Sequence, residues 1–353
     1  MARLTTAASV PDRHGGGSGG HPPRDNRDAL VVVAVAGRIA PPRVHPETLR
    51  VDRDGRAFLL PGTGGVHPDV HLGDPAGRWL AEHLMVGASV EDSGSAPAEP
   101  GPLHLLACVG NRVRDAAGAP LGVVAGKRGG LAPGFMPPNL VSVEATTARL
   151  AELAPGSGVV IEAVGRGLVL PDWPDVELLN VSPAGLDALG LRVVGDGLEI
   201  PVRAVAASRA AGAGLGQSGW IGDLEITDVA FLSPPGIDLA FGDLVAFDAM
   251  DSRHGRYYHP GTVSVGIVAH GPSPAPGHGV GVTILLSGPS EQVRLVVDDR
   301  ATMTPVLRAL AEAADGMAEP ASHATGSPRP AAVSPPPIAS RRPRTARSRT
   351  ARP

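Results

Sequence analysis

The chain has 353 residues, a formal net charge of −4 at pH 7 and one cysteine, and its apolar runs fall short of the ~20 residues that a membrane-spanning helix requires. These features exclude an internal disulfide framework and favour a cytoplasmic protein that contacts no membrane. Residues 317–353 contain seven arginines and one glutamate, so the remaining chain is acidic and only this tail favours contact with nucleic acid.

Both ends of the chain have compositions that are typical of disorder. Residues 1–28 are predicted to form an arm rich in glycine, proline and charge, and residues 317–353 a tail rich in proline, alanine and arginine. Between them, residues 29–316 are expected to fold as a single unit, with a lobe boundary near residue 200 left open.

The predicted strands are short and rich in valine, and glycine or proline separates them. They cover residues 30–39, 158–170, 198–207, 243–250, 262–270, 280–288 and 292–298. Helices are expected at 75–84, 183–189 and 305–315, where an oxygen-bearing N-cap precedes a proline, and also at 142–153. Strands and helices do not alternate as a doubly wound sheet requires. We therefore predict a β-rich α+β fold with barrel-like or sandwich-like sheets and a few peripheral helices.

Lys127 is the only lysine among the 31 basic residues. An ammonium can lose its proton when it is buried, whereas a guanidinium cannot, so we predict a functional role for this side chain. The surrounding GVVAGKRGG is not a Walker loop, because one residue is missing between the glycines and Arg128 follows the lysine. Gly129 and Gly130 could present backbone N–H groups to an anion beside Lys127 and Arg128. A plain hairpin tip is the alternative.

Cys108 is the only thiol, and it lies in the apolar stretch LHLLACVG. A lone cysteine is commonly a small buried hydrophobe, and a catalytic nucleophile is the alternative. Asn111 follows closely and could donate hydrogen bonds to an oxyanion.

VHPDVHLGD places His67, Asp69 and His71 on one face if it is extended, which predicts either a divalent-metal site or an exposed polar edge. Gly64 and Gly65, just before it, permit a close approach of the backbone to a ligand.

Two later segments also carry candidate residues. FDAMDSRHGRYYHPG at 247–261 places Asp248 and Asp251 in a predicted loop between strands, and loops on rigid sheets commonly carry function. AHGPSPAPGHGVGV at 269–282 places His270 at the end of a strand and His278 between two glycines, which suits an exposed imidazole that faces a ligand. An ordinary flexible loop is the alternative.

Several segments together resemble an uncharacterised prokaryotic family, the domain of unknown function 4438 family. They are VVAVAGRI, PGTGGVHPDVHLGDPA, LACVGNRV, GVVAGKRGG, GRGLVLPDWPDV, GAGLG, FGDLVAFDA, VSVGIVAHG and GHGVGV. The resemblance spans residues 29–298. It implies a compact mixed α/β fold and oligomers but no established reaction, so it assigns no catalytic residue.

These observations favour an enzyme that acts on a small polar or anionic metabolite in a cleft of glycine-rich loops around Lys127 and His278. A non-catalytic ligand-binding or scaffold homo-oligomer is the alternative. The catalytic candidates are Lys127, Cys108, His270 and His278, the substrate-binding candidates are Asn111, Arg128, Gly129, Gly130, Gly64, Gly65, Asp248 and Asp251, and the metal candidates are His67, Asp69 and His71.

Overall fold

The computed structural model describes residues 20–43, 49–51, 54–93, 101–129, 139–208, 228–231, 238–254, 257–272 and 279–316. The strands are β1 (Val33–Ile39), β2 (Leu49–Val51), β3 (Ala57–Leu59), β4 (Val66–His67), β5 (Gly87–Asp92), β6 (Arg112–Asp115), β7 (Pro120–Arg128), β8 (Leu140–Glu144), β9 (Gly158–Ala163), β10 (Glu177–Leu178), β11 (Arg192–Val194), β12 (Gly197–Val202), β13 (Ala204–Ala207), β14 (Asp228–Phe231), β15 (Leu244–Asp251), β16 (Tyr257–His270), β17 (Val280–Pro289) and β18 (Val293–Val297). The helices are α1 (Pro102–Leu106), α2 (Thr147–Ala151), α3 (Pro183–Ala188) and α4 (Thr304–Gly316). Within these ranges, no helix is long and apolar enough to cross a membrane.

Six antiparallel strands close into a barrel in the order β1-β9-β6-β7-β8-β5, and β5 pairs back with β1. Alternate residues of these strands point inward, and the interior is filled by branched side chains such as Val35, Val113, Val143 and Ile161. Leu103 of α1 belongs to the same cluster and closes one part of the barrel core. The predicted β-rich α+β fold with a barrel-like sheet is confirmed.

A second sheet has the order β10-β17-β16-β15-β13, and β14 also pairs with β17. A third sheet has the order β11-β12-β18, and β2 pairs with β3 in a separate ribbon. Strands β12 and β13 are separated only by Arg203, so one extended stretch of chain contributes to both the second and the third sheet.

The outer side of the barrel packs against the second sheet where β7 meets β16. An ideal Cβ on Gly126 would lie 2.6 Å from the Cβ of Ala269, so the two strands approach each other more closely than any side chain at residue 126 would allow. We call the place where residues 126–129 meet Ala269 and His270 the β7–β16 junction.

The chain before the barrel is also attached to the fold. Arg24 forms an ion pair with Asp172, and Arg27 forms one with Asp187. These contacts involve part of the arm that we predicted from composition. Residues 1–19 and 317–353 lie outside the described residues.

Two of the four predicted helices, those that begin at Pro183 and Thr304, are confirmed. The helix predicted at 75–84 is wrong, because the backbone there bonds to distant segments: Ala76 N–H donates to Leu239 O and Glu82 N–H to Pro61 O. The helix predicted at 142–153 begins only at Thr147, because residues 140–144 pair as strand β8.

Candidate functional site

Lys127 lies within strand β7, before the glycines predicted to bind an anion, and its side chain is fully buried. Its cross-strand partner Val141 belongs to the barrel core, and directly paired residues point to the same side of a sheet, so Lys127 faces the barrel interior. The ammonium donates to the carbonyl O of His104 at 2.8 Å and to Oδ1 of Asn180 at 2.9 Å. A guanidinium is broader and binds acceptors in one plane, so this position favours lysine over arginine.

The backbone of Lys127 is hydrogen-bonded to the second sheet. Its N–H donates to Oγ1 of Thr283 at 3.0 Å, and the Thr283 hydroxyl donates back to the Lys127 carbonyl at 3.1 Å. The side chain and the backbone of this lysine therefore hold separate segments of the chain together.

Asn180 is a functional candidate that the sequence reasoning missed. It has a φ of +48°, a left-handed conformation that asparagine tolerates better than most residues. Its Nδ2 donates to Ile284 O at 3.0 Å, and its carbonyl accepts from Val109 N–H at 2.7 Å. It therefore joins Lys127 to strand β17 and to the segment that follows α1. His104, which supplies the other acceptor for Lys127, was also missed.

Cys108 and Asn111 form one buried turn. Oδ1 of Asn111 accepts from Cys108 N–H at 2.7 Å, and its Nδ2 donates to Val164 O at 2.7 Å. Cys108 is fully buried, and its thiol packs so closely that a side chain at Gly165 would overlap it. This packing favours a structural role for both residues.

His270 ends strand β16 and is buried. Its Nδ1 lies 2.8 Å from Gly271 O, and because a carbonyl only accepts, Nδ1 carries the proton in the neutral ring and Nε2 carries the lone pair. The ring fills the space beside Gly281, where a Cβ would overlap it. His83 packs edge-on against this ring, with 5.0 Å between centroids, and has a φ of +51°. His83 is partly exposed, so the histidine pair reaches from the interior to the surface.

Arg128 brings a second buried cation to the β7–β16 junction. Its strand partner Leu140 packs with Met85, and Met85 pairs with His270 through an isolated bridge. Gly129 has a φ of +125°, and Asn139 covers the position that its side chain would take. The structure thus brings Lys127, Arg128 and His270 into neighbouring strands. His278 and Gly130 lie outside the described residues.

The remaining substrate-binding candidates lie in other parts of the fold. Gly65 donates its N–H to Ala40 O and accepts from Ser89 N–H, and the adjacent Gly64 packs against the Pro41 carbonyl.

Asp248 and Asp251 belong to β15, and residues 257–261 belong to β16, so these parts of the loop predicted at 247–261 are strand instead. Burial alone would raise the pKa of Asp251, but hydrogen bonds from Arg253 and His259 hold that pKa at about 2.

His67, Asp69 and His71 do not form a metal site in the described ranges, where no group of three or more histidine, cysteine or acidic side chains is arranged to hold an ion. His71 instead bonds to Glu144, with 2.8 Å between Nδ1 and Oε1. Burial lowers the pKa of His67, while the hydrogen bond with Glu144 raises the pKa of His71. The two histidines therefore have different surroundings.

Comparison with known proteins agrees with the resemblance seen in the sequence. Residues 49–187 match the family described as "Domain of unknown function (DUF4438), N-terminal", and residues 188–307 match "Domain of unknown function (DUF4438), C-terminal". The chain belongs to the DUF4438 family. A solved structure titled "Crystal structure of TM1086" is 31% identical to it, with a TM-score of 0.71, over 81% of this chain and 100% of that chain. No curated protein matches the chain.

The two DUF4438 regions meet at the candidate site. Lys127 and Asn180 belong to the N-terminal region, and His270 and Thr283 belong to the C-terminal region. Because Lys127 and Thr283 exchange two hydrogen bonds, both regions are needed to build the β7–β16 junction of this DUF4438 protein.

Proposed function

We propose that the protein is an enzyme that acts on a small polar or anionic molecule at the β7–β16 junction. The observation that carries the proposal is the concentration of Lys127, Arg128 and His270, all buried, on neighbouring strands. Burying ionisable groups costs free energy, and such groups are concentrated at functional sites. His83 and Asn180, both in left-handed conformations, flank the cluster, and unusual backbone conformations of this kind are also common at such sites.

The proposed roles follow from the geometry. Arg128 provides positive potential for an anionic group at the junction, and Lys127, which faces the barrel interior, holds strand β7 in place through its hydrogen bonds to His104 O and Asn180 Oδ1. The buried His270, whose Nδ1 lies 2.8 Å from Gly271 O, is the proposed acid–base group. The partly exposed His83 connects this group to the surface. His278 stays a prediction as a further acid–base group.

The first test is thermal unfolding of the full chain with a panel of small carboxylates and phosphates. We expect at least one of them to stabilise the wild type, by about 2.7 kcal/mol at a concentration of 100 Kd. His83→Gln and Arg128→Gln should weaken the effect, and His254→Gln, at an exposed position, is the control. A panel without any stabilising anion would contradict the proposal.

A non-catalytic ligand-binding or scaffold protein is the second candidate. The observation that favours it is the full burial of Lys127 with hydrogen bonds to His104 O and Asn180 Oδ1, which suits a structural ammonium. In that case Lys127→Met should lower the free energy of unfolding, and any stabilisation by an anion should persist in the folded variant. The further proposal of a homo-oligomer is tested by light scattering on the purified chain, and the exposed Val31 and Val32 support it. A cytoplasmic location stays a prediction.

A further inference from the structure

Three side chains on the outer side of the barrel form a hydrogen-bonded series that the β7–β16 junction does not include. Thr147 Oγ1 lies 3.0 Å from His71 Nε2, and His71 Nδ1 lies 2.8 Å from Glu144 Oε1. The three residues come from three segments: the turn after β4, the end of β8 and the first turn of α2. Tertiary structure therefore brings the series together.

The series becomes more buried from the hydroxyl to the carboxylate. Thr147 is exposed, the His71 side chain retains 16% of its accessible surface, and the Glu144 side chain retains 3%. The second carboxylate oxygen of Glu144 accepts from Leu72 N–H at 2.9 Å, which fixes its orientation. An exposed hydroxyl, a partly exposed imidazole and a buried, fixed carboxylate are the arrangement of a nucleophile, a base and an orienting acid.

The contacts of His71 also fix its proton positions. Glu144 accepts from Nδ1–H, and Pro68 O, 3.0 Å from Nε2, accepts from Nε2–H, so the contacts fit the charged ring. When the ring loses the Nε2 proton, the lone pair on Nε2 lies 3.0 Å from the Thr147 hydroxyl. The charged groups that face the ring are Glu144 from β8 and Arg308 from α4.

We propose that Thr147, His71 and Glu144 form a hydrolytic site for small esters. Thr147 Oγ attacks the ester carbonyl, and its proton passes to His71 Nε2. The bond between the acyl carbon and the alkoxy oxygen then breaks, and the alcohol leaves with that proton. Water attacks the acyl-threonine and gives a proton to His71, and the carboxylic acid is released while the Thr147 hydroxyl is restored.

This site is separate from the β7–β16 junction. Glu144 pairs with Val123 of β7, whereas Lys127 pairs with Val141. The two pairs are three residues apart along β8 and four along β7, or roughly 10 Å. Lys127 also faces the barrel interior, while Val123 belongs to the core outside it. An experiment that refutes ester hydrolysis at Thr147 would therefore leave the proposed function of the junction untouched. An experiment that refutes the function of the junction would likewise leave the ester hydrolysis untouched.

The test is the hydrolysis of p-nitrophenyl acetate by the full chain and by Thr147→Val. The variant keeps the shape of the side chain and every histidine, so it measures the background reaction of exposed imidazoles. We expect it to lower kcat/KM by at least about 10²-fold, because without the hydroxyl His71 has no nucleophile to activate, and a positioned base contributes about 10²–10⁴-fold. Thr147→Ser should retain the activity. Equal rates for wild type and Thr147→Val would overturn the proposal.

Two further measurements distinguish catalysis from a structural role. The wild-type rate should rise with pH and level off above the pKa of His71, which the hydrogen bond with Glu144 raises above its ordinary value of about 6.5. Glu144→Gln removes the negative charge and should move the midpoint of this profile to lower pH. Mass spectrometry after acid quenching should find acetyl on Thr147, and acetylation confined to other residues would overturn the proposal.

Discussion

The contact between Gly126 and Ala269 allows a quantitative prediction for Gly126→Ala. The new Cβ would lie 2.6 Å from the Cβ of Ala269, whereas carbon atoms in contact are about 3.6 Å apart. Both atoms are attached directly to backbone, so no side-chain rotation relieves the overlap, and β7 and β16 must separate by about 1 Å. Overpacking of this kind typically costs about 1–3 kcal/mol. We expect a loss near the upper end, because Lys127 beside it is tied to Thr283.

The assay is urea unfolding, in which the midpoint should fall while the slope stays unchanged. The control is Gly77→Ala, since a Cβ at Gly77 meets nothing within 4 Å. The double variant Gly126→Ala with Ala269→Gly removes the opposing methyl and should recover most of the loss. A Gly126→Ala variant as stable as Gly77→Ala, or a double variant no better than Gly126→Ala alone, would refute the close packing inferred here.

Three other substitutions test the polar interactions. Lys127→Met should lower the free energy of unfolding by about 2–4 kcal/mol, because two buried acceptors lose a donor, and denaturant titration measures it. Asp251 has a folded pKa of about 2, below its ordinary value, so it stabilises the folded chain above about pH 4 and this stabilisation is lost as pH falls toward 2. In thermal unfolding, Asp251→Asn should therefore lose less stability on acidification than the wild type. The pKa of His71 is raised, so its contribution to the free energy of unfolding is complete below about pH 6.5 and is lost as pH rises through the folded pKa. Melting temperatures measured over a pH series should show this loss in the wild type and not in His71→Gln. The same pH dependence in both proteins would contradict the prediction.

The sequence predicts the strands better than their arrangement. Valine-rich runs such as 262–270 and 280–288 lie within β16 and β17, because alternation is a local property of the chain. Closure of the barrel is not local: it depends on the pairing of β1 with β9, which lies more than a hundred residues later. A barrel-like sheet could therefore be predicted only as one of two alternatives.

The helix predicted at 75–84 shows how tertiary contacts override a local signal. Asp74 and Pro75 have the types expected at a helix start, yet Pro75 pairs with Ala240 and Asp74 O accepts from Phe241 N–H. These bonds to a segment more than 160 residues away replace those within a helix. Nothing in the local pattern predicts them.

The candidate site was only partly predictable. Composition identified Lys127, but the glycines around it indicated a loop. In the structure, both Gly122 and Gly126 lie inside β7. A Cβ at Gly122 would overlap the Glu144 carbonyl, and a Cβ at Gly126 would overlap the Ala269 side chain. Glycine within a strand marks close approach as well as turns. Asn180 was missed because its role depends on contacts with residues that are distant in sequence.

The closed ring of strands has a consequence for synthesis of the chain. Strand β1 has β5 and β9 as its neighbours, and β9 ends at Ala163. At 5–20 residues per second, roughly 6–25 s pass between the translation of β1 and that of β9. Throughout this interval the edge of the valine-rich strand β1 that pairs with β9 in the finished barrel has no partner strand. The order of the chain therefore makes the newly made barrel most exposed to wrong pairing at the edge of β1.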